Sequence, residues 1–191
     1  MSLVLGSSSK FRKAQLEQLN IPFECYSPDI DEDSIKNSDL TPLEISRELS
    51  LQKAKAVLEK FPDSVVIGAD QVLNFKGDIF SKPGSEEKAV EQLLKLNNDT
   101  HELITSYALI TKDKEIVETV ISKMTLRDLT REQIQKYVSI DQPLHSCGSY
   151  KLETLGISLF ETIDCPDHSA IIGLPLMSLT SQLKEFGINV L

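Results

Sequence analysis

Four places in this chain carry residue types that could act on an anion or its counter-ion. In Gly6-Ser7-Ser8-Ser9, followed by Lys10, Arg12 and Lys13, small residues stand between an apolar run and a helical pattern. At such a strand-to-helix turn backbone N–H groups can face an anion, the helix dipole favours negative charge, and hydroxyls and basic side chains add contacts. A phosphate cradle and an ordinary capped turn both fit that composition. The loop matches neither GxxxxGK[ST] nor GxGxxG. Asp70 follows the apolar run Ser64 to Ala69 (SVVIGA). A carboxylate at the end of a buried strand is costly to desolvate unless a metal or cation pairs with it, and strand C-termini are where α/β sheets hold ligands. Asp70 is therefore a candidate metal ligand or general base, while an aspartate capping the next turn is the competing reading. Lys53 and Lys82 could each reach a polyphosphate or stand in solvent.

The acidic run Asp29-Ile30-Asp31-Glu32-Asp33 is not an EF-hand loop, because Ser34 and Leu40 stand where Gly and Glu are needed. Ser27-Pro28 precede it instead of the hydrophobic strand that a phosphatase DxD motif follows. It reads as a solvated loop, with Glu32 as a metal-site contributor the sharper alternative. His101, His145 and His168 show no metal-ligand spacing with Cys25, Cys147 and Cys165, and no GxSxG elbow is present. Zinc hydrolysis and catalytic triads are poor explanations.

The elements that must position these residues follow from periodicity and capping. Ser2 to Leu5 predicts a strand, and Phe11, Ala14, Leu16 and Leu19 the helix after it. Ile21 to Tyr26 reads as a short strand and Ser27 to Leu40 as a surface loop. Thr41-Pro42-Leu43-Glu44 combines a hydroxyl cap, a first-turn proline and a glutamate at N3, opening a helix to about Lys60. The buried strand from Ser64 is predicted to end at Ala69 and deliver Asp70 at its C-terminus. A hairpin follows, with Gln71 to Phe75 and Asp78 to Ser81 flanking Lys76-Gly77. A helix capped by Ser85 runs to Leu96, two long strands span Glu102 to Thr111 and Ile116 to Leu126, and Thr130 with Gln133 opens another helix. Ile157 to Ile163 predicts a strand and Leu176 to Phe186 a last helix closed by Gly187. This is an α/β pattern with a mixed twisted sheet.

The 191 residues suit a single domain, 1–191, and 40% hydrophobic with 26% charged residues is ordinary globular usage. Twenty basic against 29 acidic residues, net −9, exclude a broad footprint for nucleic acid but leave room for a small anion in a local basic pocket. Three widely spaced cysteines point to reduced thiols, and the cationic cluster of MSLVLGSSSKFRK lies on the wrong side of its apolar stretch for export. His168 to Leu183, the longest uncharged stretch, contains Gly173 and Pro175 and falls short of the ~20 apolar residues of a membrane span. A soluble cytoplasmic protein without membrane partners is expected.

Taken in order, LVLGSSSKFRKAQLEQLNIPFE, DIDE, QKAKA, VVIGADQV, FSKP, THELITSYALI, SCGSYKLETLGISLFE and IIGLPLMSLTSQL resemble the Maf family of nucleoside triphosphate pyrophosphatases over nearly the whole chain. The resemblance implies an elongated mixed twisted sheet in two lobes with a central cleft, similar to the inosine triphosphate pyrophosphatases. It also implies cleavage between the α- and β-phosphates with a divalent metal. Since only oxygen ligands are on offer, Mg²⁺ or Mn²⁺ is expected. By resemblance Asp70 is the proton acceptor, Ser7, Arg12, Glu32, Lys53 and Lys82 handle phosphate and metal, and Glu32 with Asp70 would hold the ion. Phe11, Gln71 and Glu153 match the positions that separate base preference, and they side with the branch acting on 7-methyl-GTP. The chemistry is consistent: N7-methylguanine is cationic, so an aromatic face can stack on it and a carboxylate can accept from its N1–H and exocyclic amine.

Lys10, Lys13, Gln52 and Phe11 depart from the family's usual proline, arginine, glutamate and tryptophan. The smaller ring of Phe11 implies looser discrimination of the methylated base. Two alternatives stand beside this reading: the same chemistry on dTTP and UTP, or a non-catalytic nucleotide-binding regulator of cell division. A homodimer is a family-level expectation.

Overall fold

The computed structural model describes residues 2–191. Its elements run β1 (Leu3–Gly6), α1 (Lys10–Glu17), β2 (Glu24–Tyr26), α2 (Glu32–Lys36), α3 (Pro42–Leu58), β3 (Val65–Phe75), β4 (Asp78–Phe80), α4 (Glu86–Leu96), β5 (Thr100–Ile110), β6 (Glu115–Leu126), α5 (Arg131–Asp141), β7 (Phe160–Asp164), α6 (Ser169–Ile172) and α7 (Leu176–Leu183). The strands form one seven-stranded mixed sheet in the order β2-β1-β3-β5-β6-β7, with β4 paired to β3. β1 is parallel to both β2 and β3, whereas β4 and β7 run antiparallel to β3 and β6. The chain divides into two compact units, the first comprising the residues up to Gln71, Thr105–Val120 and Asp167–Leu191, the second Val72–Ile104 and Ile121–Pro166. No helix among the described residues is long and apolar enough to cross a membrane.

In the first unit the period-two alternation of the strands sends successive side chains into two apolar layers. Leu3, Leu5, Val65, Ile67 and Ala69 pack with Leu16 of α1 and with Leu176, Leu179 and Leu183 of α7. Val4, Val66, Ala108 and Ile110 pack on the other face with Ala54 and Val57 of α3. Helix α3 begins at the expected capping box, with Thr41 Oγ1 receiving the Glu44 N–H and the Glu44 carboxylate receiving the Thr41 N–H. Its approach to β3 depends on Gly68. A Cβ there would stand 2.2 Å from the Ser50 carbonyl oxygen and 2.6 Å from the Ala54 nitrogen, so only a residue without a side chain admits the helix at this depth.

In the second unit α4 starts at Ser85 and α5 at a Thr130–Gln133 capping box, as their sequences predict. Ala89, Leu93 and Leu96 of α4 and Ile134 and Val138 of α5 are buried. His101, 1% exposed, bonds through Nε2 to the Tyr150 hydroxyl at 2.8 Å, and Tyr150 packs edge-on against Phe160 with ring centroids 4.8 Å apart. Nδ1 of His101 is buried without a hydrogen-bond partner.

Several elements differ from their predicted extent. β3 does not stop at Ala69 but continues to Phe75, because Leu73, Asn74 and Phe75 pair with Phe80, Ile79 and Asp78. Asp70 therefore lies within the strand rather than at its end. The segment Ser27 to Leu40 is not all loop. Asp31 accepts the Ser34 N–H and Lys36 reaches back one turn to Glu32, which closes the five-residue α2. Leu155–Leu159 forms a 3₁₀ turn held by Asp141, which accepts from Thr154 Oγ1 and the Gly156 N–H, so β7 begins only at Phe160. The last helix tightens to 3₁₀ geometry over Lys184–Phe186, before Gly187 at φ +75°.

Two outcomes follow. Gly68→Ala should lower stability in urea titrations by about 3 kcal/mol, the upper part of the range for overpacking a rigid contact. Burial pushes the His101 imidazole down to about 4 from 6.5, with the Asp99 charge opposing only in part. Between those pH values the unfolded chain binds a proton that the folded chain refuses, so stability is complete above pH 6.5 and falls as pH drops towards 4. The full loss is up to about 3 kcal/mol, and His101→Gln should flatten the thermal midpoint across that window.

Candidate active site

β1 and β3 are in parallel register with Gly6 opposite Gly68, so the loop after β1 starts level with the Ala69–Asp70 stretch inside β3. The loop is a capped turn that also holds an arginine. Ser9 Oγ caps α1 by accepting the Arg12 N–H at 3.4 Å, and Ser7 Oγ accepts the Ser9 N–H at 3.1 Å. Arg12 Nη1 donates to Ser7 Oγ at 3.5 Å and its Nε to the Gly173 carbonyl at 2.9 Å. The capped turn that the sequence offered is therefore present. Phe11, next on α1, is 43% exposed, and the residues the helix buries are Gln15 and Leu16. Of the predicted apolar set, Leu16 is buried and Leu19 packs against the same core, whereas Phe11 and Ala14 are exposed.

A second cluster centres on Lys53. Because α3 sits close on Gly68, its buried Lys53 reaches Asp70 Oδ1 at 2.7 Å and Glu32 Oε1 at 2.8 Å. Lys36 takes the other Glu32 oxygen at 2.6 Å. Burial pushes the Glu32 carboxyl up, but the hydrogen bonds and charges of Lys36 and Lys53 outweigh it and bring it down to about 2 from 4.5. The unfolded chain takes up that proton first as pH falls. The contribution of these pairs is therefore complete above pH 4.5 and is lost as pH drops towards 2. Asp70 is only 6% exposed, and its Oδ2 is buried without a hydrogen-bond partner. Ser46 of α3 supports the same strand residue, donating towards the Asp70 main-chain oxygen at 3.4 Å and to Ser106 Oγ at 2.9 Å.

The donor chemistry suits a hard cation. Asp70 and Glu32 already share one ammonium, so oxygens of both lie within reach of a single positive ion, and Oδ2 of Asp70 is a buried acceptor with no other claim on it. No group of three or more His, Cys, Asp or Glu among the described residues forms a metal cage. Mg²⁺ characteristically needs no such cage, taking one or two carboxylates and filling its octahedron with water and phosphate.

Ser7 and Arg12 are thus brought together, as are Glu32, Lys53 and Asp70. Gln71 turns its amide nitrogen towards Thr105 Oγ1 and the carbonyls of Ala170 and Ile171, each at 3.0 Å. Lys82 and Glu153 belong to the second unit, where both are exposed. Sequence reasoning missed Ser46, Gln15, Thr105 and Gly173. The signals available were a polar Gln15 beside Leu16 on the buried side of a helix, and a glycine inside the apolar string IIGLP.

A family model described as Maf-like protein matches residues 2–186. A protein of Bdellovibrio bacteriovorus named 7-methyl-GTP pyrophosphatase is 40% identical over 183 residues, covering 96% of each chain. Relatives with the same name from Hahella chejuensis and Pseudomonas putida are 37% and 38% identical, covering 99% and 100% of this chain and 96% and 99% of their own. A HAM1 protein from Coxiella burnetii aligns with 97% of this chain and 99% of its own at 13% identity and a TM-score of 0.49.

Removing one partner from a buried ion pair leaves an uncompensated charge. Lys53→Met should therefore lower stability by about 3 kcal/mol in urea titrations, the low end of that effect because Glu32 is half-exposed. Adding Asp70→Asn should restore a large share of the loss, and the double-mutant cycle measures the coupling.

Proposed function

Because the chain belongs to the Maf-like family, we propose that it is a nucleoside triphosphate pyrophosphatase that cleaves between the α- and β-phosphates and prefers 7-methyl-GTP. The observation that carries the chemistry is the orphaned Oδ2 of Asp70, buried in the strand paired with β1, which runs into the Ser7–Arg12 loop. The base preference is supported by the names of relatives 37–40% identical over 96–100% of this chain.

In this mechanism water adds to the α-phosphorus and the bond from that phosphorus to the bridging oxygen breaks. Nucleoside monophosphate and pyrophosphate leave. Asp70, its charge held by Lys53 on Oδ1, is the group that takes the proton from the attacking water. Arg12, anchored through Nε, offers a planar cation to the phosphates, and Ser7 a hydroxyl beside it. Asp70 and Glu32 would hold Mg²⁺ or Mn²⁺, whose chemistry when bound is to neutralise charge on the triphosphate and its departing pyrophosphate. The exposed ring of Phe11 suits stacking on a cationic methylated base. To Lys82 and Glu153 the proposal gives a phosphate contact and a base contact on the strength of the resemblance alone.

The test is a product assay of the purified protein with Mg²⁺ or Mn²⁺ against 7-methyl-GTP, GTP, dTTP and UTP. Monophosphate plus pyrophosphate are expected, with the highest kcat/KM for 7-methyl-GTP. Asp70→Asn should lower kcat by a factor on the order of 10³, within the range for losing a general base. Diphosphate plus orthophosphate, a preference for dTTP or UTP, or binding without turnover would each overturn the assignment.

A further inference from the structure

Helix α5 ends on Asp141, at the end of a helix where the outward-pointing carbonyls disfavour negative charge. What that carboxylate meets instead is a turn outside the helix. Asp141 Oδ2 accepts the Thr154 hydroxyl at 2.7 Å and the Gly156 N–H at 3.1 Å. One turn earlier on α5 the hydroxyl of Tyr137, a residue only 3% exposed, accepts the Lys151 N–H at 3.1 Å. Residues 137 and 141 are four apart and so share one face of the helix. That face grips the chain at residues 151, 154 and 156, and Glu153 lies inside the grip.

The turn is also closed on itself. The Thr154 N–H reaches the Lys151 carbonyl at 3.4 Å, and a Cβ on Gly156 would stand 2.3 Å from that same oxygen, so only glycine lets the chain fold back this tightly. Just upstream, the Tyr150 hydroxyl meets His101 Nε2 at 2.8 Å and Ser149 Oγ donates to Gln92 Oε1 at 2.6 Å. Every one of these groups belongs to the second unit. Glu153 is exposed, so the placement of its carboxylate follows from the main chain that carries it. Burial pushes the Tyr137 phenol up against the pull of the Lys151 N–H, and the charges of Asp141 and Glu153 add to the rise. The Glu153 carboxylate therefore lies within electrostatic reach of the hydroxyl that holds its turn.

We propose that Asp141 and Tyr137 are positioning residues for Glu153: α5 holds the Lys151–Gly156 turn, and through it the carboxylate that reads the base. Base choice is then set in part from a helix that carries no base-reading residue of its own. The base-reading role of Glu153 rests on the function proposed above, whereas the hold of α5 on the turn does not. Preorganising a carboxylate matters most where it must accept from two donors at once, as from the N1–H and exocyclic amine of a guanine, and it does nothing for the phosphate tail.

The test uses the full chain with Asp141→Ala, Asp141→Asn, Tyr137→Phe and Glu153→Gln, each checked for an intact thermal transition. Asparagine keeps an oxygen acceptor and loses the charge, which separates holding from electrostatics. Three readings are taken: the backbone order parameter of Glu153 from NMR relaxation, KM and kcat for 7-methyl-GTP and GTP, and calorimetric affinity for inorganic tripolyphosphate. In Asp141→Ala the order parameter should fall from about 0.85 towards 0.6. KM for 7-methyl-GTP should rise by about tenfold, the size of one misplaced charge-assisted contact. Its kcat/KM advantage over GTP should shrink, because the cationic base gains more from the carboxylate. Tyr137→Phe should move the same readings in the same direction, Asp141→Asn should keep most of the wild-type values, and tripolyphosphate affinity should stay constant throughout. Equal losses in Asp141→Asn and Asp141→Ala would show that charge rather than holding is at work and overturn the proposal. So would tripolyphosphate binding that weakens in step with KM, or an unaltered Glu153 order parameter in both Asp141→Ala and Tyr137→Phe. If Asp141→Ala does not fold, Tyr137→Phe decides alone. An unchanged nucleotide ratio in Glu153→Gln defeats the base contact assigned to Glu153, while the order parameter still decides the hold of α5 on the turn. A lowered ratio in Glu153→Gln beside wild-type readings in Asp141→Ala and Tyr137→Phe defeats the hold and leaves the function standing.

Discussion

A lysine ammonium buried between two carboxylates is the constraint on which the site depends. Lys53, Asp70 and Glu32 form a chain in which Lys53 and Asp70 are both nearly sequestered from water. Desolvating such charges costs several kcal/mol per ion, and only close mutual pairing repays it. The arrangement is consequently intolerant of small displacements. It explains why α3 must approach the strand as closely as Gly68 allows, and why a short helix carrying Glu32 is folded back towards α3 rather than left in solvent.

The same principle operates with neutral groups around Asp70 and Arg12. Ser46, Ser106 and Thr105 are fully buried, and each spends its hydroxyl within the unit. Buried polar groups that are paired cost little, whereas an orphan is expensive. Against that background the buried Oδ2 of Asp70 is unpartnered, as are Gln15 Oε1 and His101 Nδ1, and it is the one of the three that belongs to a charged group. Rigid surroundings also fix Arg12, whose long side chain gives up rotamer entropy when it is held. Its anchorage to the Gly173 carbonyl means that this loss is met during folding.

Much of this was legible in the chain. The strand-to-helix loop of Ser7 and Arg12, the capped lysine helix and the apolar run before Asp70 rest on local rules of capping and alternation, and all three recur in the structure. Glu32 was legible as a residue but not as an element, because α2 is made by one cap and one i,i+4 pair with no apolar face to announce it. Gln15 and Gly173 escaped notice because their partners lie 154 to 161 residues away. Nothing in a helical or strand period encodes a contact of that kind.

Residue type and order determined the class of fold, the family and the set of groups that could handle a polyphosphate, since capping, alternation and motif order are written in neighbouring positions. Which oxygen of Asp70 is left without a partner was decided only when α3 packed on Gly68 and brought Lys53 to Oδ1. Tertiary structure likewise turned Gln71 towards the carbonyls of α6 and placed Arg12 on Gly173. These are choices among several chemically equivalent partners. They are made by burial and distance, quantities that exist only once remote segments have come together.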